Sequence, residues 1–159
     1  MSEQNKTLQV EDEIALYLNN DLREPALDFA AYLNANQMTP KLWRAESRTW
    51  LIPDKDFNLC MVQFEPNQWK ITCFFGDYDG EFDEGFITAV QEHVQICASC
   101  HDNCTNGLDA FIFGKEYKNA CSQLTIQFTN PNRNELEHIK KLIEYKKTTP
   151  NSISFFADE

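Results

Sequence analysis

The chain has 159 residues, 42% of them hydrophobic, with twelve phenylalanines, enough for one domain to bury a core without disulfide support. Its 25 acidic residues outnumber 14 basic ones, for a formal charge of −11. That balance argues against a nucleic-acid partner, which needs a basic stripe, and fits a basic protein, a cation or simple solubility. The first residues, MSEQNKTLQVEDE, carry no basic segment followed by an apolar one, and no apolar run approaches the roughly 18 residues of a membrane span. A cytoplasmic location with reduced thiols and no membrane partner is therefore expected.

Residues 10–20, with Ile14, Leu16, Tyr17 and Leu18, predict a short helix after an acidic start. Glu24-Pro25 predicts the opening of a second helix carrying Leu27, Phe29, Ala30 and Leu33, and Pro40 closes that region. Residues 47–53, SRTWLIP, predict a strand beside a hairpin formed by FNLCMVQFEPNQWKITCFF around Pro66-Asn67. The apolar alternation fixes the hairpin register: Phe64 faces Trp69, Val62 faces Ile71 and Cys60 faces Cys73 on one side. Gln63 faces Lys70 and Met61 faces Thr72 on the other, more polar side. Cys60 and Cys73 are read as two small buried hydrophobes, although a cross-strand disulfide is thinkable.

The acidic run from Asp77 to Glu84 leads into a helical pattern in which Phe86, Val90, His93 and Cys97 share one stripe. The run is no calcium loop, because its glycine spacing is wrong and no glutamate closes a twelve-residue span. LDAFIFG and SQLTIQF then predict two strands with Gly114 in the turn between them. Asn130 is the expected cap and Pro131 the expected opening of the last helix, whose stripe is Leu136, Ile139, Leu142 and Ile143 and whose end Lys146 and Lys147 mark. Residues 1–147 are thus expected to form a single α+β domain of order ααβββαββα, a largely antiparallel sheet with helices packed on one face. Residues 148–159 are expected to be a loose tail, with Phe155 and Phe156 available to dock on the body.

The most chemical feature is a cysteine cluster. Cys97, Cys100 and Cys104 follow a C-x2-C-x3-C spacing in CASCHDNC, and Cys121 lies further along. The first pair is close enough for one ion to take both thiolates, and Cys121 would complete four sulfurs from a neighbouring strand, the tetrahedral set that zinc prefers. Positions i, i+3 and i+7 also share a helix face, so a buried cysteine stripe would look the same. The turn formers His101 to Gly107 oppose that reading, because they end the helix near Cys100 and leave Cys104 in a loop. His93 and His101 are the substitute ligands.

There is no phosphate loop, dinucleotide fingerprint, H-E-x-x-H or nucleophile elbow, so no catalytic residue is assigned. The reading is a binding or interaction domain for a small molecule or protein, with a structural zinc site. A metal or thiol-redox sensor and a metal-dependent hydrolase are its alternatives.

From Leu27 to Lys147 the chain resembles a family of small bacterial proteins that share a core tryptophan hairpin and a cysteine loop. The resemblance is carried by FAAYLNANQMTP, Trp50 and Trp69, HVQICASCHDNC, FIFGKEYKNAC and NPNRNELEHIKKLIEYKK. It implies that Cys97, Cys100, Cys104 and Cys121 act as a set. More distantly the order of helices and hairpins is similar to YdhG-like domains, among them frataxin-like iron chaperones. Those lack the cysteine loop, so no residue carries over.

Overall fold

The computed structural model describes residues 8–54, 57–73, 78–97, 107–121 and 126–148. In chain order its elements are α1 (Val10–Tyr17), α2 (Asn20–Ala35), β1 (Lys41–Arg44), β2 (Thr49–Asp54), β3 (Phe57–Glu65), β4 (Gln68–Cys73), α3 (Glu84–Glu92), β5 (Leu108–Ile112), β6 (Lys115–Ala120), β7 (Ile126–Thr129) and α4 (Arg133–Thr148). Five strands form an antiparallel sheet in the order β1-β2-β3-β4-β7, and β5 and β6 form a separate antiparallel pair. This is the expected α+β class.

The β3–β4 hairpin has the expected register at all five predicted pairs, from Phe64 opposite Trp69 to Cys60 opposite Cys73. Pro66 and Asn67 make the turn: the proline ring fixes a negative φ and Asn67 takes the positive one, 55°. The Asn67 N–H then donates to the Tyr17 carbonyl at 2.7 Å, which ties the turn to the end of α1. On the inner face Val62, Phe64, Trp69, Ile71, Ile126 and Phe128 are all at most 2% exposed. The helices lie on this face: α1 and α4 pack on β3, α2 joins α1 to α4, and α3 packs on α4. The outer face carries a small second cluster, Leu51 and Met61 with Trp43 against them.

Several boundaries differ from the expectation. The second helix starts at Asn20, because Asn19 caps it by accepting the Leu22 N–H at 3.2 Å, and Pro25 sits inside. An extra strand, β1, precedes β2 and adds a fourth strand before α3. Gly114 does lie in a hairpin turn, but the returning strand is KEYKNA and not SQLTIQF. Phe113 (φ 47°) and Gly114 (φ 89°) both have positive φ, as a tight two-residue hairpin turn demands, so the chain turns back at once. Of the expected SQLTIQF strand, Ile126–Phe128 fall in β7, which pairs with β4 instead; residues 122–125 lie outside the described residues.

The last helix begins at Arg133, and its cap is Asn132. The Asn132 side chain accepts the Glu135 N–H at 2.8 Å while Glu135 accepts the Asn132 N–H at 3.1 Å, a reciprocal capping box. Asn130 has another task. Its side chain accepts the Trp69 N–H at 2.9 Å and its own N–H donates to the Trp69 carbonyl at 2.8 Å, with φ 48°. Leu136, Ile139, Leu142 and Ile143 form the expected buried stripe. The expected tail falls almost wholly on residues 149–159, outside the described residues.

Truncating Trp69 to Ala should cost about 3–5 kcal/mol, the usual range for a large buried aromatic. Asn130→Ala should cost about 1–3 kcal/mol through the lost acceptor for a buried N–H. Urea unfolding of both variants checks the order, Trp69→Ala being the less stable.

Candidate functional site

The third helix ends earlier than the stripe through Cys97 requires. α3 stops at Glu92 with His93 as its C-cap, and the chain continues extended. Val94 and Ile96, β-branched residues alternating with Gln95 and Cys97, bridge antiparallel to Ile126 and Ala120. The backbone donors follow that ladder: Gln127 N–H to the His93 carbonyl (3.1 Å), Cys121 N–H to Gln95 (2.7 Å) and Cys97 N–H to Asn119 (2.7 Å). Cys97 is therefore not on a helix, and the helical-stripe account of the cysteine spacing does not apply to it.

The same ladder brings Cys97 and Cys121 together. They flank the Ile96–Ala120 bridge on opposite sides, Cys97 against Asn119 and Cys121 against Gln95. Side chains alternate along each strand, so both cysteines project to the same side as diagonal neighbours, a relation that spans about 7–8 Å. Both are half-buried. Residues 98–106, which hold Cys100, His101 and Cys104, lie outside the described residues, but the two ends of that stretch are defined. It leaves from Cys97 against Asn119 and returns at Gly107, where a Cβ would stand 2.6 Å from the Asn119 backbone. Only glycine permits that approach. The Asn119 side chain adds a 3.4 Å bond to the Cys97 carbonyl. Both ends of the cysteine stretch thus abut one residue, two positions before Cys121.

His93 is occupied elsewhere. Its Nδ1 lies 2.7 Å from the Ala89 carbonyl, its Nε2 lies 3.1 Å from the Glu135 carboxylate, and its ring stacks on Phe128 with centroids 4.0 Å apart. This clamps α3, β7 and α4 together and leaves no ring nitrogen for a metal. Among the described residues no group of three or more His, Cys, Asp or Glu side chains is placed to hold a metal ion.

A second cluster escaped the sequence reading. Lys146, expected to mark the end of the last helix, is 1% exposed. It lies on the stripe of Ile139 and Ile143, at i+7 and i+3, a spacing that already placed it on the buried face. Its Nζ is 5.6 Å from the centroid of the Tyr78 ring, and its charge is felt by both Cys60 and Cys73, each 0% exposed. Burial pushes the Cys60 thiol well up and Cys73 up to about 11, with the Lys146 charge pulling both the other way. Burial also raises the Tyr78 phenol and lowers the Lys146 ammonium.

Two surface depressions lie along α4. One groove of about 560 Å³ is lined by Tyr32, Phe82, Lys140, Lys141, Tyr145 and Thr148, and a second of similar size adjoins it between α2 and α4. The Tyr32 hydroxyl donates to Glu144 at 2.8 Å, both residues lining the first groove. No helix among the described residues is long and apolar enough to cross a membrane. These features define an α+β domain with a helix-covered antiparallel sheet and a cysteine pair at the junction of its two strand systems. No family model matches the sequence, and neither the curated proteins nor the solved structures contain a significant match to it.

The buried thiols make stability fall at alkaline pH. Cys73 keeps its proton in the folded state up to about 11, whereas an ordinary thiol loses it near 9.0. The folded state therefore binds more protons between those values, and its contribution is complete below pH 9 and lost as pH rises through 11. Lys146, lowered from 10.5, acts with the opposite sign. Cys73→Ala should flatten the alkaline fall, read as urea midpoints from pH 7 to 11 beside the wild type.

Proposed function

We propose that the chain is a cytoplasmic binding or interaction domain in which Cys97, Cys100, Cys104 and Cys121 hold a structural zinc ion. The observation that supports this reading is the placement of Cys97 and Cys121 on one side of the same short ladder, with both ends of the intervening cysteine stretch against Asn119. A ligand set drawn from positions 97 to 121 then needs no rearrangement of the sheet. Zinc suits four thiolates, carries no redox chemistry and ties loops to strands in closed tetrahedral sites. The paired grooves along α4, lined by both aromatic and charged side chains, are the surface on which this domain would take its ligand or protein partner.

Elemental analysis of protein purified without added metal tests the proposal. A single zinc ion per chain is expected, lost in Cys97→Ser, Cys104→Ser and Cys121→Ser and kept in Cys60→Ala. Metal-free wild-type protein with an unchanged melting profile after chelation would overturn it.

A further inference from the structure

The β3–β4 hairpin places Cys60 and Cys73 in a pair geometry that can be read from the backbone. The Phe64 N–H donates to Arg48, on the β2 side, while the N–H and carbonyl of Trp69 are both taken by Asn130, on the β7 side. The Phe64–Trp69 pair therefore exchanges no hydrogen bond across the hairpin. Because the ladder alternates with period two and has no irregularity between β3 and β4, Val62–Ile71 and Cys60–Cys73 are non-hydrogen-bonded pairs as well. Such pairs have Cα atoms about 4.5 Å apart with their side chains drawn together. Disulfides span Cα separations of roughly 4.4–6.8 Å, so the two thiols can be joined without moving the strands.

The surroundings are unusual for two inert core cysteines. A lysine, one of the residues least often buried, is enclosed beside them at 1% exposure, with Tyr78 completing the cluster. Burial holds both thiols in the protonated form, and the Lys146 charge works against it, easing the loss of a proton that makes the thiolate, the form that attacks an oxidant. Both sulfurs are fully shielded, so a bulky disulfide reagent is excluded, and only a small neutral oxidant enters through local opening of the fold.

We propose that Cys60 and Cys73 form an internal redox site that takes hydrogen peroxide and closes to a disulfide across β3 and β4, with Lys146 as the positioning cation. One thiol gives up its proton, and its thiolate attacks a peroxide oxygen. The O–O bond breaks, leaving a sulfenic acid and hydroxide, which takes up the released proton as water. The second thiol displaces the sulfenic hydroxyl as a second water and forms the S–S bond. The sum is two thiols and one peroxide to one disulfide and two waters, with the sulfurs oxidised by two electrons and the peroxide reduced. This site is separate from the cysteines assigned to zinc.

Differential alkylation of the full-length wild-type protein, before and after hydrogen peroxide and resolved residue by residue by mass spectrometry, tests the proposal. Cys60 and Cys73 should lose alkylation together, appear as one linked peptide pair two hydrogens lighter, and recover with a dithiol reductant. Lys146→Met should slow that closure by about five-fold or more at pH 7 through loss of the cation. Zinc content is measured on the same samples, so loss of the zinc reading leaves this result standing. If Cys60 and Cys73 stay reduced in folded wild-type protein while more exposed thiols oxidise, or if either pairs elsewhere, the site is refuted. The wild-type mapping decides this even where the lysine variant does not fold.

Discussion

Trp69 is the residue on which the remaining architecture depends. Its side chain is buried against Phe29, with ring centroids 6.1 Å apart, and both of its backbone polar groups are claimed by Asn130. The first contact seats α2 on the sheet, and the second fixes where β7 ends and where the chain turns towards α4. A buried indole in a defined register carries a large hydrophobic contribution, and the Asn130 bonds prevent the one-residue slip that would turn every inner-face residue outward. The hairpin, the fifth strand and the entrance to the last helix are therefore set by one residue and its partner.

The second organising element is the short extended stretch after α3. By pairing at Val94 and Ile96 with the chain on either side of residues 122–125, it joins the five-stranded sheet to the β5–β6 pair. Tyr78 makes a further, parallel bridge to Ile112, with its N–H and carbonyl bonded to Phe111 and Phe113. His93 stands at the start of this junction, and its contacts reach α3, β7 and α4. The cysteines at 97 and 121 thus sit where the two strand systems meet, a position in which a bond between them couples one to the other.

The elements most legible in the sequence were those whose pattern is enforced by burial on one face. The hairpin register followed from alternation, and the stripe of α4 followed from its period of 3.6. Strand β6 is not legible in the sequence because KEYKNA is mostly exposed and lacks apolar alternation; its pairing with β5 across the positive-φ turn at Phe113 and Gly114 defines it. The end of α3 was missed because Val94 and Ile96 continue an apolar pattern that suits helix and strand alike; pairing with residues distant in sequence decided it. Asn130 and Asn132 are both plausible caps by residue type, and the choice lay with the Trp69 backbone. Lys146 marks the end of α4 as its charge suggests, and its place on the stripe of Ile139 and Ile143 also puts it on the buried face.

Gly107 gives the cysteine stretch a property that composition alone does not convey. Its close approach to Asn119, opposite the point where Cys97 departs, means that the chain-closure entropy of this stretch is met by the strand ladder and not by whatever the cysteines bind. The ladder acts as a clasp whose two ends are shut in advance. The length between the ends is then free to change at little cost in closure entropy, while a side chain at position 107 would force the clasp open.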